Sequence, residues 1–193
     1  MTIANLDLSL KLDSMLWKSI KPSNETEELS FYRNTPFEFI KNLVKNMDGM
    51  HQDIFDYINN IIAKNDHKSI LDYGGGSGYL SMRLHNKGYN VTFSEVNLLS
   101  LEWMDYITKK KNMDIKIIDL YNNKITNKYD VIIIKDVAEH VSNPDKLLNE
   151  LKKMTNNLIV LPGMCLGEED YLPMHKQMDA SKILNSTAID ICK

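Results

Sequence analysis

Residues Ile70 to Leu80, reading ILDYGGGSGYL, constrain the fold of this chain more than any other stretch. A short apolar run reaches an acid, Asp72, and glycine then falls at positions 74, 75, 76 and 78 before an amphipathic segment begins. A buried strand that turns on residues without Cβ and feeds a helix has this pattern. Such a loop lets a ligand lie against backbone, with the amide groups of a helix N-terminus aimed at it. A glycine-rich turn holding no ligand is the competing account, and the surrounding chain decides between them.

Downstream the pattern alternates. Ser69–Tyr73 reads as a first strand, and Gly78–Lys87 as a helix stopped by Gly88. Tyr89–Glu95 is a second strand, and Asn97 caps a helix running through Lys110. Asp114–Ile118 is a third strand. Tyr129–Lys135 is a fourth, almost continuously apolar as a strand buried on both faces should be. Asn143-Pro144 opens a helix with Leu147, Leu148, Leu151 and Met154 facing inward, and Asn157–Leu161 is a fifth strand. This alternation predicts an α/β fold, a Rossmann-like doubly wound and mostly parallel sheet. Right-handed crossovers put its ligand site at the C-terminal strand ends, where the first strand carries the glycine loop.

Residues 1–66 read differently, as an N-terminal helical segment. Leu6, Leu8, Leu10 and Leu12 alternate, whereas Leu12, Met15 and Leu16 fit a helix, so the start is ambiguous. Lys21–Glu28 is polar, contains Pro22 and reads as a loop. Thr35-Pro36 begins a helix that Gly49 ends, and His51–Ala63 forms another. Residues 67–193 form the Rossmann-like domain. After Leu161 only 32 residues remain in the 193-residue chain. They have room for a short helix over Asp179–Asn185 and a sixth strand over Thr187–Cys192, so the sheet is expected to be shortened. Its uncovered edge is an association liability, which predicts a homodimer or a covering protein partner.

Composition narrows the classes of function. No 20-residue apolar span or signal peptide is visible, so a soluble, cytoplasmic protein is expected. A net charge of −3 offers no general attraction to nucleic acid or anionic membrane. Cys165 and Cys192 form no metal-spaced pair, and no metal site is expected.

The loop itself excludes two ligands' fingerprints. Counted from Gly74, the third glycine of G-x-G-x-x-G falls on Tyr79, and counted from Gly75 the second falls on Ser77. No Gly-Lys-Ser/Thr follows, so no phosphate-binding P-loop is present. The observed pattern is D-x-G-x-G-x-G, with Asp72 suiting a cationic ligand end. Glu95 closes the second strand, where a carboxylate can accept both hydroxyls of a ribose. Asp119 and Leu120 follow the third strand and offer an acceptor for an adenine amino group beside an apolar contact.

The block Ile70–Gly163 resembles the class I S-adenosylmethionine-dependent methyltransferases. ILDYGGGSGYL resembles their first motif, and VTFSEVN their acidic second-strand end. YDVIIIKDVAEHVSNPDKLLNELKKM resembles their fourth strand and following helix. The triplet Glu139, His140, Val141 is most like the small-molecule branch that includes ubiquinone-biosynthesis O-methyltransferases. The resemblance implies S-adenosylmethionine as cofactor and S-adenosylhomocysteine as product. It puts the methionine part against Asp72, Gly74 and Gly76, near Lys135 and Asp136, with Tyr73, Gly75 and Gly78 in the same motif. The ribose goes to Glu95, and the adenine beside Val96, Asp119 and Leu120. The resemblance also makes the N-terminal helical segment, residues 1–66, a lid over the cleft. Tyr73 stands at a variable position of that motif and Gly75 at one that is often cysteine.

The predicted activity is methyl transfer to an oxygen, or a nitrogen, of a small-molecule metabolite. A degenerate cofactor-binding subunit without turnover is the alternative that the short C-terminus suggests. His140 is the candidate general base, against a structural role in holding the loop and helix cap. His175 and Tyr171 are weaker candidates. Trp17, Phe31, Tyr32, Phe37 and Phe39 are candidates for the lid side of the acceptor site. Met164, Leu166, Leu172, Met174 and Met178 are candidates for its far wall.

Overall fold

Two buried side-chain layers follow from period-2 alternation along the strands. The computed structural model describes residues 3–47, 52–155, 157–161, 174 and 176. In it β1 (Ser69–Tyr73), β2 (Asn90–Glu95), β3 (Lys116–Asp119), β4 (Val131–Lys135) and β5 (Asn157–Leu161) form one parallel sheet. The strand order is β3-β2-β1-β4-β5. Chain direction across the sheet therefore reverses between β1 and β4, which is where a doubly wound sheet opens a crevice.

Four helices precede the sheet: α1 (Ile3–Ile20), α2 (Glu25–Asn34), α3 (Pro36–Met47) and α4 (Gln52–Lys64). Three lie within it: α5 (Tyr79–Asn86), α6 (Leu98–Lys111) and α7 (Pro144–Lys152). Ile70, Val91, Phe93, Val131 and Ile133 face α4, α5 and α6 through Ile58, Leu84 and Met104. Leu71, Ile132 and Ile134 point the other way, toward Leu148 and Leu151 of α7. Residues 131 to 134 of β4 are at most 1% exposed, as expected of a strand sandwiched between two helical layers. Each such side chain contributes roughly 1.5–3 kcal/mol of burial. A third cluster joins Trp17, Phe31 and Met174, with Leu16 and Tyr32 packed on it.

Three expectations are corrected. Lys21–Glu28 is not all loop, because α2 begins at Glu25 with Asn24 as its cap. The Asn24 side chain accepts from Glu27 N at 3.0 Å, and Glu27 accepts from Ser23 N at 2.7 Å, a reciprocal arrangement like a capping box. The alternating leucines of the N-terminal stretch lie in α1, an 18-residue helix. The third strand runs Lys116–Asp119 rather than Asp114–Ile118, so Asp119 is its last residue and pairs in register with Glu95. The expected sixth strand, the Asp179–Asn185 helix, His175, Tyr171, Met164, Leu166, Leu172 and Met178 lie outside the described residues.

Candidate functional site

The glycine loop is folded back on the neighbouring strand. Gly74 N and Gly75 N both donate to Ser94 O, at 2.8 and 3.1 Å, and Gly78 N closes the turn on Gly75 O at 2.9 Å. Two of its glycines are required for different reasons. Gly78 caps α5 at φ 73°, and a Cβ there would enter the Met104 side chain. Gly75 needs room rather than conformational freedom. A Cβ would lie 2.6 Å from the Phe93 ring and 2.8 Å from Asp72 Oδ2. The cysteine that the resemblance expects at position 75 is therefore shut out here by Phe93.

Three carboxylates end three adjacent strands in very different surroundings. Asp72 is 3% exposed and accepts from Ser81 Oγ at 2.6 Å. Burial pushes it up to about 6, against the opposing pull of the Ser81 hydroxyl and the charge of Lys135. Glu95 is held by backbone alone: Gly76 N reaches Oε2 at 2.8 Å, while Val96 N and Asn97 N reach Oε1 at 2.6 and 3.1 Å. Burial still raises it, since three amides do not offset its loss of water. Asp119 receives Arg33 Nη1 at 2.6 Å and Tyr121 N at 3.0 Å on Oδ1, with Asn122 Nδ2 at 2.7 Å on Oδ2. Burial raises Asp119 too, but these donors, Arg33 foremost, outweigh it and the group falls below the ordinary carboxylate range. Burial also pushes the Tyr73 phenol up to about 12, so it stays a neutral donor.

The same rim continues past β4. Val137 fills the space a Cβ on Gly74 would need, so the loop and the β4 exit meet at the strand-order switch. Lys135 pairs with Asp136, whose φ is 53°. His140 ends a single 3-10 turn, Ala138–His140. Its Nδ1 shares a 3.1 Å hydrogen bond with Tyr32 OH, and the two rings meet edge-on at 5.5 Å.

Sequence reasoning overlooked the partners that α2 brings. Arg33 bonds Val96 O at 3.1 Å as well as Asp119. Asn97 Nδ2 donates to Tyr32 O and Thr35 O at 2.9 and 2.7 Å. Glu28 accepts from Ser142 Oγ and, at 2.7 Å, from Lys176 Nζ. Asn42 of α3 lies against Gly76. The Asn24-to-Glu27 capping pattern is the signal that marks α2; nothing local marks where its side chains land. Of the expected site residues, Asp72, Tyr73, Glu95, Val96, Asp119, Leu120, Lys135, Asp136 and the four loop glycines all sit at the C-terminal strand ends or just beyond. His140 sits on the β4 side, against α2. Among the described residues no group of three or more His, Cys, Asp or Glu is arranged to hold a metal ion, and no helix is long and apolar enough to cross a membrane.

Comparison with known proteins agrees with this geometry. A family model described as a methyltransferase domain matches residues 47–161, more than half of the chain. A ubiquinone biosynthesis O-methyltransferase of Rickettsia akari (strain Hartford) is 33% identical over 89 residues, 44% of this chain and 34% of that protein. An (S)-coclaurine N-methyltransferase of Thalictrum flavum subsp. glaucum is 28% identical over 93 residues, 46% of this chain and 26% of that protein. The chain thus spans between about a quarter and two fifths of the length of the curated relatives it matches. An S-adenosylmethionine-dependent methyltransferase structure from Clostridium acetobutylicum ATCC 824 shares the fold, with a TM-score of 0.52 at 15% identity over 64% of this chain and 55% of its own. A parallel sheet reversing between β1 and β4, a glycine loop at that switch and the family match carry one conclusion: the chain belongs to the class I S-adenosylmethionine-dependent methyltransferases.

Proposed function

We propose that this chain binds S-adenosylmethionine across the C-terminal ends of β1, β2 and β3 and transfers its methyl group to an oxygen or nitrogen of a small molecule. The observation that carries the reading is the trio Asp72, Glu95 and Asp119, ordered along three neighbouring strands and matching a cation, a ribose hydroxyl and an amino group. Asp72 beside Gly74, Gly76 and the Lys135–Asp136 pair takes the methionine end. Glu95 takes the ribose: Oε1 is filled by two amides, and Oε2, bonded to Gly76 N, keeps one lone pair for a hydroxyl. Asp119, Val96 and Leu120 take the adenine. When bound, the cofactor supplies the activated methyl group, and the protein's task is alignment and exclusion of water.

Helices α1 to α3 act as the lid in this reading, supported by the contacts of α2 with both sides of the rim. The aromatic cluster of Trp17, Phe31 and Tyr32 beneath it suits an organic acceptor better than a polyanion. His140 is the proposed base, its Nδ1 held by Tyr32 OH. We also propose a homodimer or a covering protein partner on the β5 side of the sheet. A solution mass showing only monomer would count against that.

Titration calorimetry with S-adenosylhomocysteine tests the site, and the expected result is binding that Glu95→Ala abolishes. Binding of a nicotinamide dinucleotide in its place would overturn the reading. Turnover is tested by S-adenosylhomocysteine release over a library of phenols, acids and amines.

A further inference from the structure

We propose that Arg33 of α2 is a specificity residue for the purine, reading its edge jointly with Asp119. This rests on the cofactor reading above and goes beyond it, because that reading gives the base only Asp119 and its neighbours on the sheet.

Hydrogen-bond arithmetic on the rim leads there. A carboxylate offers about four lone pairs, and Asp119 has spent three: two on Oδ1, to Arg33 and Tyr121 N, and one on Oδ2, to Asn122. One acceptor position remains, on Oδ2. An adenine edge presents a donor, its amino group, beside an acceptor, the ring nitrogen, so a complementary site needs a donor next to that oxygen. The backbone does not have one to give. Val96 N and Asn97 N are bound to Glu95 Oε1, Leu120 N to Glu95 O, and Tyr121 N to Asp119 itself. Asn122 N and Asn123 N are bound to Asp119 O.

Besides the second N–H of Asn122 Nδ2, which already sits on Oδ2, the charged donors that can reach such an edge are those of Arg33. Its Nη1 is committed to Asp119 Oδ1 at 2.6 Å and Val96 O at 3.1 Å. Nη2 and Nε have no acceptor among the described residues. The guanidinium stands over the Tyr121 ring, 5.0 Å from its centroid, and its side chain is only 15% exposed. It is anchored to the two positions between which the purine lies and still carries three N–H donors. Acceptor from Asp119 and donor from Arg33 match adenine; hypoxanthine reverses both polarities and meets like against like.

The test compares two ligands on one protein, since a ratio of affinities cancels any loss of folded protein. Calorimetry with S-adenosylhomocysteine and S-inosylhomocysteine should show wild type preferring the adenosyl compound by about 100-fold, two hydrogen bonds to partly exposed groups being lost with the inosyl compound. In Arg33→Met that preference should fall about tenfold, one charged hydrogen bond having been removed. Arg33→Lys, which keeps the charge but gathers its donors on one nitrogen and loses the planar fork, should fall likewise and serves if the methionine variant does not fold. An unchanged ratio in the folded variants overturns the proposal and leaves Arg33 a structural tie. Tighter S-adenosylhomocysteine binding in Arg33→Met also overturns it, as Arg33 would then be blocking the slot. If wild type binds neither ligand, the cofactor reading itself fails and this proposal falls with it.

Discussion

Glu95 and Asp119 are register partners on adjacent strands, yet they are held in opposite ways. Glu95 is 7% exposed and satisfied entirely by amides of its own β2 end and of the glycine loop. Asp119 is reached by a guanidinium from a helix more than eighty residues earlier in the chain. Burial dominates the first and raises its affinity for a proton; donors dominate the second and lower it. A site residue wired into the sheet cannot be removed without damaging the sheet, whereas one tied to a helix by a partly exposed ion pair can.

Glu95→Ala should give the largest effect. It strands three amides at a buried position and should cost about 3–5 kcal/mol in urea unfolding, besides abolishing S-adenosylhomocysteine binding. Next comes Gly75→Ala, where the added methyl must displace the Phe93 ring or Asp72. A loss of about 1–3 kcal/mol is expected, as for an overpacked core. Rescue by Phe93→Leu in the same chain would tie the cost to that contact.

Acidity separates the carboxylates more finely. The native Asp72 titrates at about 6 against a reference of 3.8, so between those values the folded chain binds a proton that the unfolded chain does not. Through Asp72, the ligand-free protein should gain stability as pH falls from about 6 to 4. Asp119, lowered in the fold, contributes stability that is present above its unfolded value and lost on acidification. Because a cationic ligand end needs Asp72 ionised, S-adenosylhomocysteine affinity should weaken below pH 6. Proton release on binding, read from calorimetry in buffers of differing ionisation enthalpy, checks the sign. The smallest effect belongs to Asp119→Asn: about 1 kcal/mol or less in unfolding, because its ion pair with Arg33 is partly solvated. A cost comparable to that of Glu95→Ala would erase the distinction between the two sites.

The sheet half of the site was largely legible in the sequence. The positions of Asp72, the loop glycines, Glu95 and Asp119 are legible because each follows or closes an apolar run whose length and alternation mark a strand; their roles as site residues belong to the proposal. The strand that was misplaced, β3, is short and partly exposed, so its alternation is weak and its end was read one residue early. The α2 half was not legible. Its start carries a capping signal, but Pro22 and a polar composition read as loop. No local pattern announces that Tyr32 meets His140 or that Arg33 meets Asp119.

By itself the sequence determined the order of strands and helices from α3 onward, the C-terminal ends of β1, β2, β4 and β5 and the absence of a dinucleotide fingerprint. These follow from periodicity and from glycine positions, which are properties of neighbours in the chain. Tertiary structure alone decided what faces the rim from above: α2 lying across it, Arg33 saturating one oxygen of Asp119, and Phe93 forbidding a side chain at Gly75. Those depend on which surfaces pack together between separate elements of the chain, and packing is settled by shape and by the pairing of buried polar groups rather than by local spacing.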